Sequence, residues 1–110
     1  MNISWSDFEK IKIHVGTIID VQNFPKAKKK AYRLQIDFGP LGIKKSSAQI
    51  TAHYSKEDLI GKQIIAVVNF PPKQIANYTS ECLVMGIYDT AGEVVLIKPD
   101  KKVDNGNLVG

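Results

Sequence analysis

The stretch Ile64-Ile65-Ala66-Val67-Val68-Asn69-Phe70-Pro71-Pro72-Lys73, continued by Ser80-Glu81-Cys82-Leu83-Val84-Met85, decides how the rest of this 110-residue chain is read. Its first half is apolar and rich in β-branched residues over the length of a strand, and Asn69 with two prolines then stops it. A second apolar run starts at Cys82. Two buried strands therefore flank a loop that carries Asn69, Lys73, Tyr78 and Ser80, and polar loops held by rigid strands are where binding residues collect.

Working outward, Ile13 to Val21 reads as a long strand in which Gly16 is expected to permit a bend or bulge, and Pro25 ends it. Tyr32 to Phe38 alternates polar and apolar residues as the next strand. Gly39-Pro40-Leu41-Gly42 is expected to turn the chain into a returning strand, Ile43 to Ile50. Ser55-Lys56-Glu57-Asp58 is an N-cap pattern for a helical turn ending near Gly61. Downstream, Glu81 to Tyr88 and Glu93 to Lys98 are strands joined at Asp89-Thr90-Ala91-Gly92. Near the start, Ser6-Asp7-Phe8-Glu9 fits a capping box with Ser6 as N-cap, and Trp5 and Phe8 are spaced to share a helix face. Whether Trp5 plugs a barrel end or meets a second subunit is open. Five or six short strands, with one helical turn between the third and fourth, predict an all-β fold. The element order fits a five-stranded Greek-key barrel of the oligonucleotide/oligosaccharide-binding type (OB-fold), occupying residues 1–110 as a single domain. An open sandwich is the alternative.

Net charge is +4, but its distribution is the sharper signal. Between Val21 and Lys56 stand eight basic residues and one acid, Asp37, while the remainder of the chain is net acidic. Such polarity suggests an anionic partner for one face. Lys26-Ala27-Lys28-Lys29-Lys30 is a basic loop, either solvated or an electrostatic funnel for phosphates. The lone Cys82 cannot form an internal disulfide and reads as a buried thiol. No apolar run is long enough to cross a membrane and no leader pattern opens the chain, so a cytoplasmic protein without membrane insertion is expected.

Catalytic patterns are absent: no phosphate loop, His-Glu-x-x-His helix, nucleophile elbow or paired Cys-x-x-Cys. His14 and His53 lack neighbours at metal-ligand spacing. The expectation is a non-enzymatic binding module with no catalytic residues, no metal and no cofactor.

The segments Asp7-Phe8-Glu9-Lys10, Val15-Gly16-Thr17-Ile18, Ile36-Asp37-Phe38-Gly39, Lys45-Ser46-Ser47-Ala48-Gln49-Ile50-Thr51, Val67-Val68-Asn69-Phe70-Pro71-Pro72 and Ser80-Glu81-Cys82-Leu83-Val84-Met85-Gly86, in this order, resemble CsaA. CsaA proteins are export-related chaperones within the wider tRNA-binding-domain family, which also supplies appendages of methionyl- and phenylalanyl-tRNA synthetases. That wider family typically has Ser-x-Gly-Met where this chain has Ser80-Glu81-Cys82-Leu83. The resemblance implies an OB barrel whose N- and C-terminal segments build a homodimer, tRNA binding without catalysis, and capture of unfolded or pre-export polypeptide.

Charge and resemblance together assign phosphate contacts to Lys26, Lys28, Lys29, Lys30, Lys44, Lys45 and Lys73. Sugar or base edges fall to Ser47, Gln49, Asn69 and Ser80, with Tyr78 as a stacking candidate. Phe70, Ile75, Leu83 and Met85 either line a peptide pocket or simply fill the barrel. The alternatives to a tRNA-binding protein are a chaperone that binds peptides first and RNA second, or a structural subunit of a synthetase complex.

Overall fold

The fold is laid out around its longest strand, β1 (Ile13–Asn23). The computed structural model describes residues 1–110. Along its second half β1 pairs with β2 (Tyr32–Asp37), and along its first half with β4 (Gln63–Val67). β3 (Ile43–Ala48) returns against β2, and β7 (Leu83–Val84) against β4. The resulting antiparallel sheet has the order β3-β2-β1-β4-β7 and curls into a nearly closed five-stranded barrel of the OB type. Two small hairpins complete the chain, β5 (Lys73–Ile75) with β6 (Tyr78–Ser80), and β8 (Gly86–Tyr88) with β9 (Val94–Leu96).

The bulge in β1 lies between Ile18 and Asp20, not at Gly16. It inserts Ile19, which resets the alternation so that Ile18 and Val21, three residues apart, both face the core. Gly16 instead stays in register opposite Ile64, because a Cβ there would lie 2.6 Å from Ile36 and 2.7 Å from Phe38. Phe38, Leu34, Ile36, Ile64 and Leu59 fill the barrel completely buried. Leu59 comes from helix α2 (Lys56–Leu59), capped as its sequence indicates: Ser55 Oγ accepts the Asp58 N–H and the Asp58 carboxylate accepts the Ser55 N–H.

A second, smaller cluster lies on the outer face, where Ile13 and Val15 stand opposite Val67 and Ile65. Phe8 of helix α1 (Trp5–Glu9) covers it, with Met85 between β7 and β8, Ile97 after β9, and Val109 of the C-terminal tail. The helix begins one frame earlier than Ser6 and Glu9 suggest: Ser4 is the N-cap, reciprocally bonded with Asp7 at 3.1 Å. That frame sends Phe8 onto the cluster and leaves Trp5 77% exposed, so Trp5 plugs nothing. The tail is sewn onto the free flank of β1: Val15 N–H donates to Asn107, Gly106 N–H to Val15 and Val109 N–H to Ile13. His14 Nδ1 donates to the Gly106 carbonyl at 2.8 Å, and Thr17 Oγ1 to Asn105 Oδ1 at 2.7 Å.

The expected hairpin forms between β2 and β3, with Gly39–Leu41 in its connection as a turn of 3-10 helix. One further expectation changes. The single strand expected from Glu81 to Tyr88 breaks at Met85, whose N–H turns to the Ile65 carbonyl while its own carbonyl accepts the Ile97 N–H. No helix is long and apolar enough to cross a membrane.

Candidate nucleic-acid interface

The barrel is closed on one side by contacts between β3 and the residues just before β7. Lys45 N–H donates to Glu81 Oε1 at 2.9 Å, Glu81 N–H donates to the Lys45 carbonyl at 2.7 Å, and Ser46 Oγ donates to the Cys82 carbonyl at 3.1 Å. Burial pushes the Cys82 thiol up to about 12, so it is a neutral core group at physiological pH.

Beside this seam opens a cleft of about 910 Å³. Its rim is the β1–β2 loop with Lys28, Lys29 and Lys30, all exposed. Its floor comes from the end of β3 and the residues after it, Ser47 to Ala52, and from Leu83 and Val84. Tyr88, Glu93 and Val94 of the β8–β9 hairpin form part of the lining. A second pocket of about 370 Å³ is lined by Ser47, Phe70, Lys73, Ile75, Ser80 and Leu83, with Pro71 and Cys82. The two share Ser47, Ile75 and Leu83, and so form one groove over β3 between the β1–β2 loop and the connection from β4 to β7. That is where OB barrels present ligand-binding surface.

The groove gathers Lys28, Lys29, Lys30, Ser47, Gln49, Lys73 and Ser80 from the residues assigned to RNA, and Phe70, Ile75, Leu83 and Met85 from those assigned to peptide. The two sets interleave instead of occupying separate faces. Phe70 and Leu83 are 55% and 51% exposed, so they do not fill the barrel. Lys26, Lys44 and Lys45 are outside the groove lining. Neighbouring strand residues face opposite ways, so Lys44 cannot share the face of Lys45. Lys45 in turn lies 5.3 Å over the ring of Tyr78.

Tyr78 and Asn69 serve the fold. The Tyr78 hydroxyl donates to the Leu34 carbonyl at 2.9 Å, and its ring meets Phe24 edge-on and Arg33 at 5.7 Å. Desolvation raises its pKa, and the ring is already occupied on the protein's own account. Asn69 Oδ1 accepts the Lys12 N–H at 3.0 Å and its Nδ2 donates to the Lys10 carbonyl at 2.7 Å, tying the exit of α1 to the end of β4. Sequence reasoning missed Tyr88, 77% exposed beside the cleft, because it read as the end of a strand. It also missed Glu93, the acid among these lysines.

A small five-stranded barrel with this topology belongs to the class of oligonucleotide/oligosaccharide-binding folds. Comparison with known proteins narrows that class: residues 13–108 match the family model described as "Putative tRNA binding domain". The chain belongs to this family. In structure it is similar over its full length to the chaperone CsaA of Bacillus anthracis (TM-score 0.94, 47% identity, all of both chains covered). It is also similar to the CsaA chaperone protein of Picrophilus torridus (TM-score 0.92, 52% identity, 99% of this chain and all of the other). In sequence, 98% of the chain is 35% identical to part of a methionine–tRNA ligase of Porphyromonas gingivalis. A match to the methionine–tRNA ligase of Nanoarchaeum equitans covers 97% at 38% identity. The chain spans only 16% and 13% of the length of these two ligases.

Proposed function

We propose that the protein is a non-catalytic, cytoplasmic tRNA-binding module that holds folded tRNA through the lysine-rimmed groove. The observation that carries this reading is the placement of Lys28, Lys29 and Lys30 along the rim of a cleft whose floor offers Ser47 and Gln49. Lysines supply phosphate contacts that position the RNA, and hydroxyl and amide groups can meet sugars and base edges. The protein acts as a homodimer through its terminal segments. Support comes from exposed Ile3, Trp5 and Leu108, borne by the same segments that meet on the outer cluster. Two copies would present two basic grooves to one large ligand and raise the effective concentration of the second contact.

The test is a gel-shift series with tRNA over increasing salt. Wild-type affinity should fall steeply, and replacing Lys28, Lys29 and Lys30 by alanine should reduce the slope of log K against log salt by roughly 2 to 3, about 0.7–0.9 for each phosphate that is no longer neutralised. A flat wild-type response, or an unchanged slope in the triple variant, rejects the phosphate assignments.

A second reading, as a chaperone for unfolded or pre-export polypeptide, is favoured by the exposure of Phe70 and Leu83 beside Ile75 and Met85. Suppressed aggregation of a heated client, abolished by excess tRNA, is the outcome expected if both ligands use the interleaved groove.

A further inference from the structure

The small pocket at the Phe70 end of the groove contains the groups needed to recognise one nucleotide. Pro71 and Pro72 follow Phe70, and their fixed backbone angles stiffen the loop that presents its ring. Phe24 and Tyr78 are engaged with each other at 5.7 Å, whereas Phe70 is more than half exposed and free of ring partners. Ile75 and Leu83 add aliphatic surface to the same volume of about 370 Å³, which is also lined by Ser47, Lys73 and Ser80; the Ser80 hydroxyl donates to the Cys82 carbonyl at 3.3 Å and keeps its acceptor side for a ligand. A ligand that uses all six has a flat face, an edge of donors and acceptors, and a negative charge close by.

We propose that this pocket seats a single unpaired nucleobase of the bound RNA, stacked on Phe70, with the adjoining phosphate on Lys73. The proposal rests on the tRNA reading above and adds to it: rim lysines recognise the shape and charge of folded RNA, and the pocket takes one extruded base. An apolar polypeptide side chain would engage Phe70, Ile75 and Leu83 but leave Lys73 and both serines unused. A base with its phosphate uses all six.

The test compares the full chain with Phe70→Leu and Phe70→Trp, using a transcribed tRNA and a blunt, fully paired RNA duplex as probes. Leucine keeps apolar bulk but removes the π-face, and the exposure of Phe70 lets both variants keep the wild-type melting temperature. Phe70→Leu should weaken tRNA binding roughly 5- to 150-fold, the range expected for losing one base–aromatic stack. Phe70→Trp should restore binding. The salt slope should stay as in wild type, because no charge is removed, and the duplex should bind all three proteins alike. If wild type binds tRNA with a steep salt dependence and Phe70→Leu binds equally well, the base site is wrong and the tRNA reading survives. A wild-type protein that does not bind tRNA overturns both. Should Phe70→Leu lose client protection in an aggregation assay while keeping full tRNA affinity, the pocket belongs to polypeptide and the base site is again rejected.

Discussion

Lys45 and Glu81 hold each other twice, the Lys45 N–H on the Glu81 carboxylate at 2.9 Å and the Glu81 N–H on the Lys45 carbonyl at 2.7 Å. A side-chain oxygen thus takes the place that a backbone carbonyl occupies in a regular ladder, and it bridges the two edge strands β3 and β7, which form no ladder with each other. Because Ser47 lies two residues beyond Lys45 and Leu83 two beyond Glu81, the seam also sets the spacing of the groove.

Glu81→Ala should therefore cost about 1–3 kcal/mol in urea unfolding, the range for leaving a partly buried N–H without its acceptor. Glu81→Gln retains an oxygen acceptor and should stay close to wild type. Loss of tRNA affinity should follow Glu81→Ala and not Glu81→Gln, since the groove walls depend on the bond and not on the charge.

Asn69 and Tyr78 sit where ligand contacts were expected, yet their polar atoms are spent on Lys12, Lys10 and Leu34. Tyr78→Phe should cost about 0.5–1.5 kcal/mol of stability, the net worth of one hydrogen bond, and leave tRNA affinity within a factor of two. A strong loss of RNA binding with an unchanged melting temperature would instead make Tyr78 a ligand contact.

These two residues mark the limit of what the sequence disclosed. The order of elements along the chain, the position of α2, the burial of Cys82 and the basic loop were all legible, because periodicity and turn residues act locally. Whether a polar loop residue faces a ligand or its own backbone depends on partners such as Lys12, 57 positions from Asn69, and no local pattern encodes that. The β5–β6 hairpin was hidden in the same way, since three-residue strands carry little alternation. Ser6 hid the true cap at Ser4 because both frames obey the capping rule, and the outer cluster that selects Phe8 is tertiary.

The dimer reading places Trp5 in a subunit contact. Trp5→Glu adds a charge to an exposed side chain that the monomer fold does not bury, so stability of the folded chain should change little at high dilution. Sedimentation should show the dimer shifted towards monomer, with weaker tRNA binding through loss of the second groove. A wild-type protein that sediments as a monomer at micromolar concentration would refute the reading outright.

His53 and Asp89 join the β3–α2 loop to the turn of the β8–β9 hairpin, which carries Tyr88 and Glu93 at the cleft, by a bond of 2.7 Å. The His53 hydrogen bond, followed by the backbone N–H groups of Glu93 and Ala91, holds the Asp89 carboxyl below the ordinary carboxylate range. A carboxyl with a depressed folded-state pKa binds its proton more readily in the unfolded chain. Its contribution is therefore complete above about pH 4 and is lost as pH falls through the folded value. Thermal melts of wild type and Asp89→Asn should differ most above about pH 4 and converge as pH falls below it, with wild type the more stable at the upper end. Both groups are solvent-exposed, so the gap should be small and should shrink further in high salt. A gap that widens as pH falls below about 4 would contradict a depressed Asp89 carboxyl.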